Sequence, residues 1–303
     1  MAPASAPSCA TLALAAAFAA CVAPERPERG SSGGIGSGPP QGDDDGSSSD
    51  ASGGSVRLDL GGETGTPPPD SCRQDVDIVF AMDVTGSMGE LIAALVADLD
   101  TVDAAVQALD LPSPPRYGIV VFADDWALLN EGAPYPDLAA VQAELASWIA
   151  FTEQDGQIGG GGELNESFPE NSLDALFAAT EFAWRPADTT TRIVIHVTDD
   201  TFWNGPGVFN GEMVAHDYAG TIAALQAAQV RVFAFAAERG DECECVDVSA
   251  GWFAPYDGQP SIPDGTDGGI FDILAVTAGT LSLGAAIPEA VAGSVCEPYE
   301  PVG

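Results

Sequence analysis

Two hydrophobic patterns alternate along the second part of the chain. Continuous apolar runs predict strands buried on both faces of a parallel sheet, and apolar residues spaced by three or four predict helices. The strands are expected at 77–82, 117–123, 192–197 and 230–236. The helices are expected at 88–109, 137–149, 171–184 and 219–228. The alternation predicts one α/β domain, a doubly wound and mostly parallel sheet with helices on both faces.

Weaker patterns fill the remaining positions. Residues 126–129 are expected as a short strand at the sheet edge. Beyond the fourth core strand, we expect a helix at 271–278, a short strand at 280–283 and a last helix at 288–294.

Residues 1–70 differ from the rest of the chain in composition. The apolar residues 1–20 are too few to span a bilayer as a mature helix and predict a signal peptide. Ala19 and Ala20 precede Cys21, which resembles the lipobox of bacterial lipoproteins and implies lipidation of Cys21. The alternative is a secretory signal cut near Ala20, and either one exports the protein. Residues 21–70 are rich in Gly, Ser, Pro and Asp and predict a disordered tether, so the folded domain is expected over 71–303.

The net charge of the chain limits the kinds of molecule that it can bind. The chain carries 46 acidic residues against nine basic ones, for a formal net charge of −37. All nine basic residues are Arg. Nucleic acid is excluded as a partner because neutralising phosphates needs clustered cations. The acidic surface is compatible with cation binding, with a saline environment or simply with solubility.

Oxygen-bearing side chains follow two of the predicted strands. Asp83, Thr85 and Ser87 come directly after the first strand, and Asp199 follows the third. Glu170 enters a helix after a Gly-rich loop. Because parallel strands end at one edge of a sheet, these side chains are expected to meet there. Hydroxyl and carboxylate oxygens suit a hard divalent cation, although helix caps and turns are the alternative explanation.

The order of these segments resembles a known family. The segments DVTGSM, ELNESFPENSLDALFAA and HVTDD are similar to the metal-ion-dependent adhesion site of von Willebrand factor A domains, and most of all to integrin β-subunit I-like domains. The resemblance implies a cation, Mg²⁺ first and Mn²⁺ or Ca²⁺ as alternatives. It also implies that Asp83, Thr85, Ser87, Glu170 and Asp199 hold this cation, and that an exposed carboxylate on a protein partner completes its coordination.

Secondary positions follow from the same resemblance. In the family, a pair of adjacent acids serves a flanking metal site. Only one acid of that pair is present here, Glu90, because Leu91 occupies the second position. Asn165 and Glu166 are candidates for a second flanking site. Three aromatic residues border the expected metal edge and are candidate ligand contacts, unless the loop folds down on its own aromatics; these are Phe202, Trp203 and Phe209.

Four cysteines follow the leader, in a chain expected to reach an oxidising compartment. Cys72 and Cys296 flank the folded domain, and domain termini are often close, so a Cys72–Cys296 disulfide is our first expectation. Cys243 and Cys245 would then pair locally or act as a reactive dithiol. A metal bridged by all four is the weaker alternative.

The sequence favours a binding module over an enzyme. It contains two histidines, one of them inside a predicted core strand, and Ser87 does not lie in a GxSxG motif. We expect an exported, surface-tethered, cation-dependent adhesion module, held on the membrane by an N-terminal lipid if Cys21 is lipidated and secreted otherwise. The alternatives are a structural envelope protein with a stabilising metal and, less favoured, a metal-dependent hydrolase.

Overall fold

Eight strands form two sheets in the computed structural model, which describes residues 73–154, 156–160, 169–238 and 247–302. The strands are β1 (Asp75–Asp83), β2 (Arg116–Phe122), β3 (Trp126–Leu128), β4 (Thr190–Val197), β5 (Gly207–Phe209), β6 (Glu212–Val214), β7 (Val230–Ala236) and β8 (Gly269–Asp272). The main sheet has the order β3-β2-β1-β4-β7-β8, and β5 pairs with β6 in a separate hairpin. Every pair in the main sheet is parallel except β2 with β3.

Seven α-helices accompany the strands in the described ranges. They are α1 (Gly89–Gln107), α2 (Leu138–Thr152), α3 (Ser172–Ala179), α4 (Tyr218–Ala227), α5 (Ile262–Gly265), α6 (Ile273–Thr277) and α7 (Leu283–Ser294). The helices α1, α2 and α7 pack on one face of the sheet and α3 and α4 on the other. The predicted fold class, a doubly wound α/β sheet covered on both faces, is confirmed.

Successive side chains of β1 point to opposite faces of the sheet, and both faces are buried, which explains the continuous apolar run. Ile78 and Phe80 belong to the core beneath α1, whereas Val79 and Ala81 belong to the core beneath α3 and α4. All four side chains are fully buried. A strand covered on both faces cannot alternate with polar residues, so its sequence is apolar throughout.

The strand order places a crevice at one edge of the sheet. The chain leaves β1 for β2 and β3 on one side, and then crosses to β4, β7 and β8 on the other. This is the doubly wound order, and ligands in such folds bind outside the carboxyl ends of the strands where the order reverses. In this protein the reversal lies between β1 and β4.

Several predicted bounds are corrected by the structure. The strand expected at 280–283 is wrong, because the N–H groups of Thr280 and Leu281 both donate to the carbonyl of Ala275 and close the end of α6. Gly279, with φ of 69°, makes that reversal possible. The helix expected to reach Trp184 ends at Ala179, and 269–272 form β8 ahead of α6.

The β5–β6 hairpin and α5 were not predicted. The hairpin has a two-residue loop of Asn210 and Gly211, both with positive φ, between the paired residues Phe209 and Glu212. Asn-Gly is the preferred sequence for this type of turn, so the signal was present in the sequence.

The described residues belong to a compact unit that covers Pro67–Gly303. Within the described part, no helix has the length and apolarity needed to cross a membrane. The predicted signal peptide, lipidation site and tether lie outside the described residues, so those statements stay predictions.

Candidate metal centre

Asp83 is the last residue of β1 and is fully buried at the carboxyl end of the strand. Its Oδ1 accepts hydrogen bonds from the backbone N–H of Thr85 at 2.9 Å and from Thr85 Oγ1 at 2.7 Å. Its Oδ2 accepts one from Thr198 Oγ1 at 2.7 Å, directly after β4. The carboxylate therefore joins the ends of the two strands that flank the reversal.

Two hydroxyls continue from Asp83 toward solvent. Thr85 precedes a short 3₁₀ turn, Gly86–Met88, that leads into α1. The Oγ atoms of Thr85 and Ser87 lie 3.4 Å apart, and Ser87 Oγ donates to Asp199 Oδ1 at 3.1 Å. The structure thus brings four of the five predicted metal ligands into one hydrogen-bonded series, from the buried Asp83 to the exposed Ser87.

Backbone hydrogen bonds fix the fifth predicted ligand, Glu170, in the same crevice. Its N–H donates to the carbonyl of Thr201, and its own carbonyl accepts from the N–H of Trp203. The next N–H, of Asn171, donates to the carbonyl of Ala123 at 2.8 Å. The segment before α3 is therefore held between the ends of β2 and β4.

The Glu170 side chain is buried, with 2% of its surface exposed. Its Oε2 has no hydrogen-bond partner among the described residues. A buried carboxylate oxygen without a donor is costly unless it is protonated or bound to a cation.

Burial, and after it the mutual repulsion of the acids, raises the pKa values of Glu170 and Asp83. Burial, followed by the charges of Asp83, Asp200, Asp124 and Asp199, raises the pKa of Glu170 to about 11. Burial and then Asp199 raise the pKa of Asp83 to about 7, against the lowering effect of its hydrogen bonds. A bound cation would favour the ionised form of these carboxyl groups.

Two further acids of this cluster were not predicted. Asp124 follows β2, is fully buried, and accepts a hydrogen bond from Asn210 Nδ2 at 2.7 Å. Asp200 is also buried, and burial raises its pKa to about 6. Its Oδ1 accepts from the N–H of Thr201, while Oδ2 has no hydrogen-bond partner within the described part of the chain. Both acids belong to Asp-Asp pairs that begin two residues after the end of a strand, a signal visible in the sequence.

The described arginines lie at the opposite end of the sheet. Arg116, Arg192 and Arg231 are the first, third and second residues of β2, β4 and β7. Arg185 pairs with Asp75 and Asp77 at the start of β1, and Arg73 precedes that strand. Among the described residues, no arginine lies at the carboxyl end of the parallel strands.

The side chains at this edge could bind a hard cation only if hydroxyl groups act as ligands together with the carboxylates. In the described ranges, no three Asp, Glu, His or Cys side chains converge closely enough to hold a metal by themselves. The oxygens that do converge belong to Asp83, Thr85, Ser87 and Asp199, two carboxylates and two hydroxyls. Such a set matches the oxygen preference of Mg²⁺ and Ca²⁺ and leaves a bound ion short of negative ligands.

The secondary positions receive little support. Glu90 is exposed in the first turn of α1, while Leu91 is buried in the core. Asn165 and Glu166 lie outside the described residues, so their assignment stays a prediction. Phe202 and Trp203 are buried, and Trp203 stacks on Phe209 with ring centroids 5.4 Å apart. This burial favours the alternative in which the loop folds down on its own aromatics.

The two histidines lie in different environments. His196 is fully buried between the rings of Phe122 and Trp252, and neither ring nitrogen has a hydrogen-bond partner among the described residues. Burial lowers its pKa to about 3, so the ring is neutral. His216 Nδ1 contacts Asp174 Oδ1 at 2.7 Å, and its ring stacks on Phe177.

Cys296 takes part in a disulfide. The other five cysteines of the chain lie outside the described residues. The pairing of Cys72 with Cys296 and the state of Cys243 and Cys245 therefore stay predictions.

No family model matches the sequence, and no curated protein matches it either. Among solved structures, an aerotolerance-related membrane protein from Bacteroides fragilis is similar at 14% identity and a TM-score of 0.37, over 73% of this chain and 98% of its own. BatB from Bacteroides thetaiotaomicron is similar at 14% identity and 0.38, over 71% and 98%. The pilus adhesin SpaC from Lactobacillus rhamnosus GG is similar at 12% identity and 0.41, over 75% and 31%. These remote likenesses carry no argument about function.

Proposed function

We propose that this protein is an exported, divalent-cation-dependent protein-binding module and not an enzyme. The observation that carries the proposal is the buried Oε2 of Glu170, which has no hydrogen-bond partner among the described residues and lies beside four other acids. A cation would relieve this repulsion with the carboxyl groups ionised, whereas without a cation Glu170 would have to stay protonated. The resemblance of DVTGSM to the adhesion site of von Willebrand factor A domains supports the same conclusion.

Each residue has a role in this proposal. The ion would be held, directly or through water, by Asp83, Thr85, Ser87 and Asp199. Glu170 would contribute its buried carboxylate as a further ligand. Mg²⁺ is the first candidate, with Mn²⁺ and Ca²⁺ as alternatives. The bound ion would supply an electropositive point on a chain of net charge −37, to which an exposed carboxylate of a protein partner could bind.

Attachment to the cell envelope or surface is part of the proposal. It is supported by the apolar leader, by Cys21 after Ala19 and Ala20, and by the Gly/Ser/Pro/Asp composition of residues 21–70. A lipid on Cys21 would anchor the domain, and the tether would let it reach partners away from the membrane.

Calorimetric titration of the protein with Mg²⁺, Mn²⁺ and Ca²⁺ tests the proposal. We expect saturable binding of at least one ion, and a loss of affinity of at least tenfold in Asp199→Ala because a carboxylate ligand is removed. Asp188→Ala is the matched control, since Asp188 is exposed and precedes β4 at the other end of the sheet. The absence of saturable binding, or equal affinity in wild type and Asp199→Ala, would contradict the proposal.

A further inference from the structure

Most of the exposed large apolar side chains lie near the acids of the candidate metal centre. The described residues expose four such side chains, Trp126, Val208, Met213 and Val302. Trp126 follows the buried Asp124 by two residues. Val208 and Met213 are each 63% exposed and are paired directly across the β5–β6 hairpin, and we call them the hairpin pair. Exposed apolar groups beside a polar site are typical of an interaction surface.

Two contacts fix the hairpin against the crevice that holds the acids. Asn210 Nδ2, in the hairpin turn, donates to Asp124 Oδ2 at 2.7 Å. The ring of Phe209 stacks on Trp203, whose N–H donates to the carbonyl of Glu170 at 3.0 Å. The hairpin is therefore attached both to a buried acid and to the segment that carries a proposed metal ligand.

The direction of the hairpin side chains explains why the pair is exposed. Successive residues of a strand point to opposite faces. Phe209 faces Trp203, so its neighbour Val208 points away from that ring and toward solvent. Met213 lies directly across from Val208 and shares its face. Val208 precedes the turn by two residues, so at about 3.3 Å per residue the pair lies within roughly 10–15 Å of the buried acids.

The charge of the chain limits what can cover the hairpin pair. A second copy would bring another net charge of −37 to the contact, and a membrane of anionic lipid would be repelled. A protein segment can combine a carboxylate for the cation with apolar side chains for the hairpin. The distance from the acids to the pair corresponds to roughly three or four residues of an extended segment.

We propose that the hairpin pair selects protein partners in which large aliphatic side chains lie within about three residues of the carboxylate that binds the cation. The inference rests on the proposed function, to which it adds the chemistry of the partner. The cation would bind any accessible carboxylate, so it cannot distinguish one acidic partner from another. Val208 and Met213 would supply that distinction, because aliphatic groups that cover them remove apolar surface from water.

Three fluorescent heptapeptides, each with an uncharged dye and an amidated C-terminus, test the proposal by anisotropy in the presence of Mg²⁺. The first has a central Asp, Leu at one and three positions on each side, and Gly between. The second has Ser in place of every Leu, and the third has Asn in place of the Asp. We expect the full wild-type chain to bind the first peptide roughly tenfold more tightly than either of the others.

The double variant Val208→Ser, Met213→Ser removes the hairpin pair, and Val302→Ser is the matched control. Val302 is 61% exposed, and the nearby Tyr299 lies over Arg231 at the amino end of β7. The double variant should bind the two Asp peptides with affinities within about threefold of each other, whereas the control should keep the preference. All three substituted side chains are exposed, so circular dichroism of both variants should match the wild type.

Calorimetric titration of the same chains with Mg²⁺ separates this proposal from the proposed function. If the wild type binds Mg²⁺ but binds the two Asp peptides equally or not at all, or if the double variant keeps the preference, the selection is overturned and the cation site stands. If Mg²⁺ does not bind, the proposed function itself fails. Equal binding of the Asn peptide and the first peptide, or Mg²⁺-dependent dimers in sedimentation that the double variant does not form, would overturn the proposed partner chemistry.

Discussion

Glu170 is a buried acid surrounded by other acids, and its pKa is strongly raised. It is buried, lacks a hydrogen-bond donor for Oε2 among the described residues, and carries a pKa raised to about 11. A carboxyl whose pKa is higher in the folded state than in the unfolded state binds more protons when folded. Its contribution to stability is therefore full below the unfolded pKa, near 4.5, and declines as the pH rises toward the folded value.

The first residue-scale prediction concerns Glu170→Gln without divalent ions. The variant cannot ionise, so its free energy of unfolding at pH 7 should exceed that of the wild type by about 1–3 kcal/mol, and its stability should fall less between pH 5 and pH 8. Urea denaturation in EDTA measures both quantities. Glu181→Gln is the control, because Glu181 is exposed just after α3.

The same comparison at saturating Mg²⁺ should change sign. A ligand of the folded state stabilises the protein by mass action, and the variant lacks a proposed ligand group. Wild type should therefore gain more from Mg²⁺ than Glu170→Gln. An equal gain in the two chains would show that Glu170 does not contribute to ion binding.

At the scale of elements, the N-terminal end of α3 and the two residues before it connect several parts of the candidate site. Glu170 and Asn171 precede it and bridge the ends of β4 and β2. Within its first turn, the buried Asp174 accepts hydrogen bonds from the N–H groups of Ala215 and His216 and from the His216 ring. One helix therefore positions a proposed metal ligand and also fixes the chain between the hairpin and α4.

Asp174→Ala tests this role of α3. The substitution leaves two backbone N–H groups and an imidazole without their acceptor, so the free energy of unfolding should fall by about 2–4 kcal/mol. Asp174→Asn keeps an acceptor oxygen and should lose less than half as much. Denaturation followed by circular dichroism measures the difference, and equal losses in both variants would contradict the hydrogen-bond explanation.

At the scale of the whole molecule, charge is separated along the strand direction. The described arginines lie at the amino ends of the parallel strands and the buried acids of the crevice lie at the carboxyl ends. Arg185 shows what the amino end gains from this arrangement, since its side chain pairs with the fully buried Asp77 and with Asp75. Among the described residues, the carboxyl end has no equivalent arginine, and we propose that an ion from solution takes this role.

Arg185→Met tests this distribution. Removing the guanidinium leaves Asp77 buried without its cation, which typically costs about 3–5 kcal/mol of stability. Arg73→Met is the control, because Arg73 and its partner Asp110 are largely exposed and such pairs contribute little. Thermal or urea unfolding of the two variants should differ clearly, while cation affinity at the distant crevice should stay similar.

The sequence by itself determined the central strands and the main helices. Val79 and Phe80 belong to a run that is apolar because both faces of β1 are covered, and the helical spacing from Leu91 to Val106 follows the buried face of α1. It also placed Asp83 and Asp199 at strand ends, since parallel strands end at the same edge. Short elements such as β8 were not predicted, because four residues are too few to show a hydrophobic period.

Only the tertiary structure decided how the crevice is charged. Asp124, Asp200 and Glu170 are distant along the chain, and their burial and mutual repulsion arise from strand order and from backbone contacts that no local pattern encodes. The same holds for Phe202 and Trp203, aromatic residues in a polar loop that the fold turns inward. Local residue types specify which groups could bind an ion, but packing fixes whether their carboxyl groups are buried together, and that burial is what raises their pKa values.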